Sequence, residues 1–141
     1  MEYFTKENVE ESEYLLQLKT YNSGIPTIKP ISYNKHTKIL KMEKHHGMSV
    51  ADMFGDTPEG LQEIIKNGTM KKIKLIVEKL KNIGIIYPDV TGYNFMIDND
   101  NNISIIDFGH AFELTKKQYS HVMFVKDFTS NKHEYWNIEF K

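Results

Sequence analysis

The chain has 141 residues, which suits one domain or two very small lobes. A formal net charge of −1, with Lys and Arg scattered rather than clustered, argues against a nucleic-acid partner. The absence of cysteine excludes a disulfide framework and a thiolate metal site. No stretch approaches about eighteen consecutive apolar residues, and the N-terminus lacks a charged-then-apolar leader pattern. We therefore expect a soluble, intracellular (cytoplasmic) protein with no membrane partner.

Taken in order, residues 5–21 carry a helical pattern. Thr5 is placed to cap it, Glu7, Glu10, Glu11 and Glu13 favour its N-terminal half, and Val9, Tyr14, Leu15, Leu16 and Leu18 give one apolar side. Asn22-Ser23-Gly24 and Pro26 end it. A short strand is expected at 31–33, a turn at 34–37 and a second strand at 38–43. The pair His45-His46 has no third partner in sight and reads as exposed rather than as a metal site. Short helical pieces follow at 49–54 and 61–66.

The clearest helix is 70–83, where Ile73, Ile76, Val77, Leu80 and Ile83 recur at helical spacing and Gly84 supplies the stop. Ile85-Ile86 then reads as a strand leading into a loop. Phe95-Met96-Ile97 and residues 103–106 read as the two strands of a hairpin, turned by Asp98-Asn99-Asp100-Asn101-Asn102. That turn begins like a calcium loop, but Ile103 stands at the sixth position and Gly109 at the twelfth, so a calcium site is rejected. A further helix is expected over 114–126, a loop over 127–131, and an apolar anchor around Tyr135-Trp136 and Phe140.

Three polar residues frame the hairpin. Asp89 and Asn94 lie five apart in the loop before it, and Asp107 follows it, thirteen residues after Asn94. A hairpin of this size brings its ends together, so Asn94 and Asp107 converge with Asp89 nearby. Two carboxylates and an amide at the rim of a sheet suit a hard divalent cation bound to phosphates.

This constellation resembles the protein-kinase-like fold. The family carries His-Arg-Asp-x-x-x-x-Asn followed by Asp-Phe-Gly; this chain has Tyr87-Pro88-Asp89-Val90-Thr91-Gly92-Tyr93-Asn94 and Asp107-Phe108-Gly109. The resemblance implies an α+β, truncated kinase-like fold. A reduced N-terminal lobe, residues 1–43, would have one helix and short antiparallel strands; a reduced helical C-terminal lobe would cover 44–141. It implies ATP and Mg²⁺ as cofactors, Asp89 as the base that orients an acceptor hydroxyl, and Asn94 and Asp107 as the Mg²⁺ ligands. Lys41-Met42-Glu43-Lys44 would be the hinge, with Met42 at the back of the nucleotide pocket and Glu43 and Lys44 beside it.

The family also pairs a glutamate of its N-terminal-lobe helix with a phosphate-binding lysine. Leu15 and Leu18 at helical spacing favour Glu11 for that glutamate, with Glu13 as runner-up; a merely solvated acidic face explains either residue as well. The Gly-rich loop and the lysine are expected to be missing. Lys6 sits too close to the helix for a separate strand, and Lys19, Lys29 and Lys41 offer no ground for choice. The Gly-Ile-Pro opening at Gly24 and the Asp-Val-Thr run at Asp89 resemble small atypical kinases of the RIO type. Pro88 stands where regulated kinases have Arg, so activation by loop phosphorylation is not expected.

The resemblance covers about residues 5–112. Three functions follow: a minimal Ser/Thr protein kinase, a degenerate kinase serving as a nucleotide- or protein-binding module, and a small-molecule phosphotransferase of the aminoglycoside or choline type. Partners implied are a protein substrate or an activating protein, with a homodimer completing the lobe as a further option.

Overall fold

The computed structural model describes residues 2–114, 119–130 and 136–137. The chain opens with a strand rather than a helix. Residues Tyr3–Lys6 form β1, and the first helix, α1, spans Glu11–Asn22. The expected helix over 5–21 is therefore six residues too long at its start. The reason is a long-range pairing: Tyr3, Phe4, Thr5 and Lys6 lie antiparallel to Glu43, Met42, Lys41 and Leu40. Strand pairing overrides a helical propensity that was only local. The chain reverses within four residues because Asn8 takes a left-handed backbone, with φ of 58°, a conformation asparagine tolerates better than most residues.

Strands β2 (Pro30–Asn34) and β3 (Ile39–Glu43) complete a three-stranded antiparallel sheet of order β1-β3-β2. Helix α1 packs on it through a small core of Val9, Ile28, Leu40 and Met42, joined by Tyr14 stacked on Tyr33 with ring centroids 5.0 Å apart. The helix buries Glu13, Leu16, Gln17 and Thr20. These positions share one face at helical spacing, but three of the four are polar, so apolar periodicity points to the wrong side. Leu15, on the apolar side that the sequence pattern marks, is half exposed.

The second half is built around α4 (Thr69–Asn82), with α2 (Val50–Phe54) and α3 (Pro58–Lys66) before it. Ser49 and Thr57 cap the two short helices by accepting from the Asp52 and Gly60 amides. Strand β4 (Met48–Ser49) joins the hairpin of β6 (Phe95–Ile97) and β7 (Ile103–Ile105), in the order β4-β6-β7. The hairpin forms as the sequence indicates, with Phe95 opposite Ile105 and Ile97 opposite Ile103. Its turn is held by the Asp98 carboxylate, which accepts from the Asp100 and Asn102 amides and is thereby kept below the usual aspartate range.

Strands β5 (Ile85–Ile86) and β8 (Phe112–Glu113) pair beneath the site. Helix α5 spans Tyr119–Thr129, so residues 127–129, expected as loop, are helical. Residues 115–118 of the expected helix, and Tyr135 and Phe140 of the expected anchor, lie outside the described residues. One large core joins α4, the hairpin, Tyr87, Phe108, Val125, Phe128 and Trp136. The architecture is α+β: a small sheet-and-helix lobe over a larger helical one. The two are stitched by Thr27, whose hydroxyl donates to the Ile105 carbonyl, and by the Ile105 amide, which donates to Pro26.

Candidate functional site

The site lies where the small sheet meets the hairpin. Tyr87, buried completely, ends the run from β5 and donates its hydroxyl to the carbonyls of Ile106 and Asp107, at 2.6 and 2.7 Å. Burial, reinforced by the charges of Asp89, Asp107 and Glu13, pushes its phenol well above the usual tyrosine range, so it works as a neutral donor. Its ring meets Phe108 edge-on at 5.6 Å. Phe108 is itself buried, and the backbone of Asp107 is thus clamped on both sides. Asp107 takes a left-handed conformation, φ of 61°. Outliers of this kind persist where the surroundings over-determine them.

Asn94 links the two loops. Its carbonyl accepts from the Ile106 amide at 2.9 Å, and its side-chain amide donates to the Asp89 carbonyl at 2.9 Å. The hairpin therefore sets the Asn94 backbone against Ile106, one residue before Asp107, and the Asn94 side chain ties it to the backbone of Asp89. Asp89 is largely buried. Burial raises its carboxyl above the ordinary aspartate value, and the charge of Asp107 adds to this; the Asn94 amide and His110 pull against it. Gly92 completes the loop, because any side chain there would press on Ala51, whose backbone lies 3.2 Å from where a Cβ would sit.

The residue that sequence reasoning missed is Lys6. On β1 it points to the same side as Phe4, the period-2 alternation of a strand. Its ammonium group bridges Glu13 at 2.5 Å and Asp107 at 3.1 Å. Burial pulls this ammonium down. The Glu13 hydrogen bond and the two carboxylate charges outweigh that pull, and the net result is a pKa above the ordinary lysine value. The expectation that no lysine is available is overturned, and so is the preference for Glu11. Glu11 is exposed and lines a surface groove with Tyr14 and Tyr33, whereas Glu13 is buried and bonded to Lys6 of the strand.

The three lysines named as substitutes lie elsewhere. Lys41 sits over the Tyr3 ring, Lys29 near Tyr21, and Lys19 in the exposed last turn of α1. The signal that could have found Lys6 is the four-residue alternation Tyr3-Phe4-Thr5-Lys6, a β-prone run that the following acidic residues drown out.

Beside Lys6 and Asp107 opens a cavity of about 370 Å³. Its walls are apolar where Phe4, Ile28, Met42, Met96 and Ile106 line it, and charged at one end where Lys6, Glu13 and Asp107 meet. Met42 stands at the back, buried against the Gln17 amide. Glu43, Lys44 and His45 form the rim. The main-chain amides of Glu43 and Lys44 are already engaged, donating to Lys29 and Glu2. His45, a residue the sequence reading left out of the pocket, shares that rim. Asp89 and Asn94 do not line this cavity; they sit next to it, tied through the bond from Ile106 to Asn94.

An apolar slot of this size with a cationic and an anionic group at one end has the shape and charge to accommodate a nucleotide: the slot would take the base, the ammonium the phosphates, and the carboxylate a divalent ion. The protein kinase domain family matches residues 2–133. The chain belongs to the protein kinase family. The match begins at residue 2, so it takes in β1, and it runs beyond the residues 5–112 over which the sequence resemblance extends. The chain is thus a kinase-like phosphotransferase by family and by fold, and kinase domains in general bind ATP and Mg²⁺. Among the described residues, no helix is long and apolar enough to cross a membrane.

Proposed function

We propose that this kinase domain transfers the terminal phosphoryl group of ATP, in the presence of Mg²⁺, to a Ser or Thr hydroxyl of a protein. The observation that carries the reading is the Lys6 ammonium held between Glu13 and Asp107 at the charged end of the cavity. A lysine fixed there by a buried glutamate serves phosphate recognition; a fold conserved for shape alone has no need of three converging charges. When bound, Mg–ATP supplies the electrophilic phosphorus and the charge that lets acidic residues approach it.

The chain's own groups do the rest. Phe4, Met42 and Met96 enclose the base and exclude water. Lys6 neutralises phosphate oxygens. Asp107, whose side chain is 42% exposed toward the cavity, and Asn94 hold the metal. Asp89 orients the acceptor hydroxyl and accepts its proton, and its raised pKa makes it a better base than an exposed aspartate once ionised.

The test is a pair of measurements on wild type, Asp89→Asn and Asp107→Asn. Melting with and without Mg–ATP reports binding, since a ligand at a hundred times its Kd stabilises by about 2.7 kcal/mol. Phosphoryl transfer from labelled ATP to generic protein substrates reports turnover. We expect Asp89→Asn to keep the melting shift and lose transfer, and Asp107→Asn to lose both. A melting shift without transfer in the wild type would make the chain a nucleotide-binding module instead. Transfer to aminoglycosides or choline, and not to protein, would move it to the small-molecule class.

A further inference from the structure

Residues 136–137 lie against the catalytic loop. Trp136 is buried in the main core, and the next residue, Asn137, is 96% buried. The Asn137 side-chain amide donates to the Pro88 carbonyl at 2.7 Å, and its backbone amide donates to the Val90 carbonyl at 2.9 Å. Those two carbonyls flank Asp89. The carbonyl between them, that of Asp89 itself, accepts from the Asn94 side chain. Three successive carbonyls are therefore each held by a donor from outside the 88–90 tripeptide. Within the loop, the Val90 amide donates to Pro88 at 2.8 Å and the Thr91 amide to Asp89 at 3.1 Å, both two residues back. Two-residue turns of this kind are weak on their own, and external donors fix them.

We propose that Asn137 is a positioning residue for the catalytic base, acting through the backbone of Pro88 and Val90 to set the direction of the Asp89 side chain. The inference rests on the reading of Asp89 as base. Asn137 is not among the residues that line the cavity. Its effect belongs on turnover and not on nucleotide affinity. Trp136 supplies the apolar anchor, and Asn137 converts that anchor into a fixed loop geometry. The chemistry needs a donor. An aspartate of the same shape would face the Pro88 carbonyl with another acceptor.

The experiment compares full-length wild type with Asn137→Ala and Asn137→Asp. Three measurements are made: kcat and KM for ATP, the melting shift on Mg–ATP, and amide hydrogen exchange at Val90, Thr91 and the α4 core. Misplacing a catalytic group by a fraction of an ångström lowers turnover strongly, so we expect kcat to fall by roughly tenfold or more in both variants. KM for ATP and the melting shift should stay near wild type. Exchange at Val90 and Thr91 should quicken while that of Ile73, Ile76 and Leu80 does not change.

Unchanged kcat together with unchanged exchange at Val90 and Thr91 would overturn the proposal. So would exchange that quickens equally in α4, because Asn137 would then be holding the fold as a whole. If wild type itself shows no transfer, the kinase reading fails while the loop exchange still decides whether Asn137 holds residues 88–90.

Discussion

Replacing Lys6 by Met keeps the unbranched stem of the side chain, one atom shorter, and removes its charge. In the wild type the ammonium group sits 2.5 Å from Glu13, whose side chain is 9% exposed, and 3.1 Å from Asp107. Without it, a buried carboxylate loses its hydrogen-bonding cation and faces a second carboxylate nearby. Breaking a fully buried pair costs about 3–5 kcal/mol. The Lys6 side chain is 31% exposed, and solvent screening reduces the figure, so we expect Lys6→Met to lose about 1–3 kcal/mol at neutral pH.

Urea unfolding of wild type, Lys6→Met, Glu13→Gln and the double variant gives the coupling, which should be about 1 kcal/mol or more. The pH dependence has a definite sign. The folded-state pKa of Lys6 lies above the ordinary 10.5, so its contribution is fully present below that value and is lost as the pH rises through the raised one. The gap between wild type and Lys6→Met should therefore be flat from neutral pH to about 10 and narrow above it. Lys6→Met should also lose most of the melting shift on Mg–ATP. A loss of stability below about 0.5 kcal/mol, no coupling with Glu13 and an intact nucleotide shift would together refute the reasoning. They would mark the bridge as a screened surface contact.

Two further outcomes follow from the buried groups of the catalytic loop. Tyr87→Phe removes the hydroxyl that serves the Ile106 and Asp107 carbonyls and should cost about 1–2 kcal/mol in urea unfolding, because two partly buried acceptors lose their shared donor; an unchanged midpoint would show that they find another partner. The raised pKa of Asp89 means that the fold favours its neutral form. Its contribution to stability is present below the ordinary 3.8 and lost as pH rises through the raised value. Asp89→Asn should accordingly be as stable as wild type or more so at pH 7, with the gap closing in acid, while the acid limb of kcat/KM in the wild type lies above the ordinary aspartate range. An acid limb at or below that range, or an Asp89→Asn variant less stable than wild type at pH 7, would count against a buried base.

The sequence carried the Asp89, Asn94 and Asp107 part of the candidate site because that part is local. Asp89, Asn94 and Asp107 lie within nineteen residues joined by one hairpin, and hairpin register follows from the alternation of Phe95, Ile97, Ile103 and Ile105 with a polar turn. The helix over Thr69–Asn82 was legible for the same reason, since its apolar stripe is continuous. The nucleotide half was not. Lys6 becomes part of a strand only by pairing with residues some 35 places along the chain, and Glu13 is inward because α1 turns a mostly polar face to that strand. Apolar periodicity cannot see a buried face made of Glu13, Gln17 and Thr20. Trp136 could be read as an anchor from its composition, but Asn137 beside it carries no signal at all; its hydrogen bonds to Pro88 and Val90 appear only in the tertiary structure. Short-range pattern determined which chemistry the loop can offer. Long-range hydrogen bonding decided which lysine, which glutamate and which asparagine surround it.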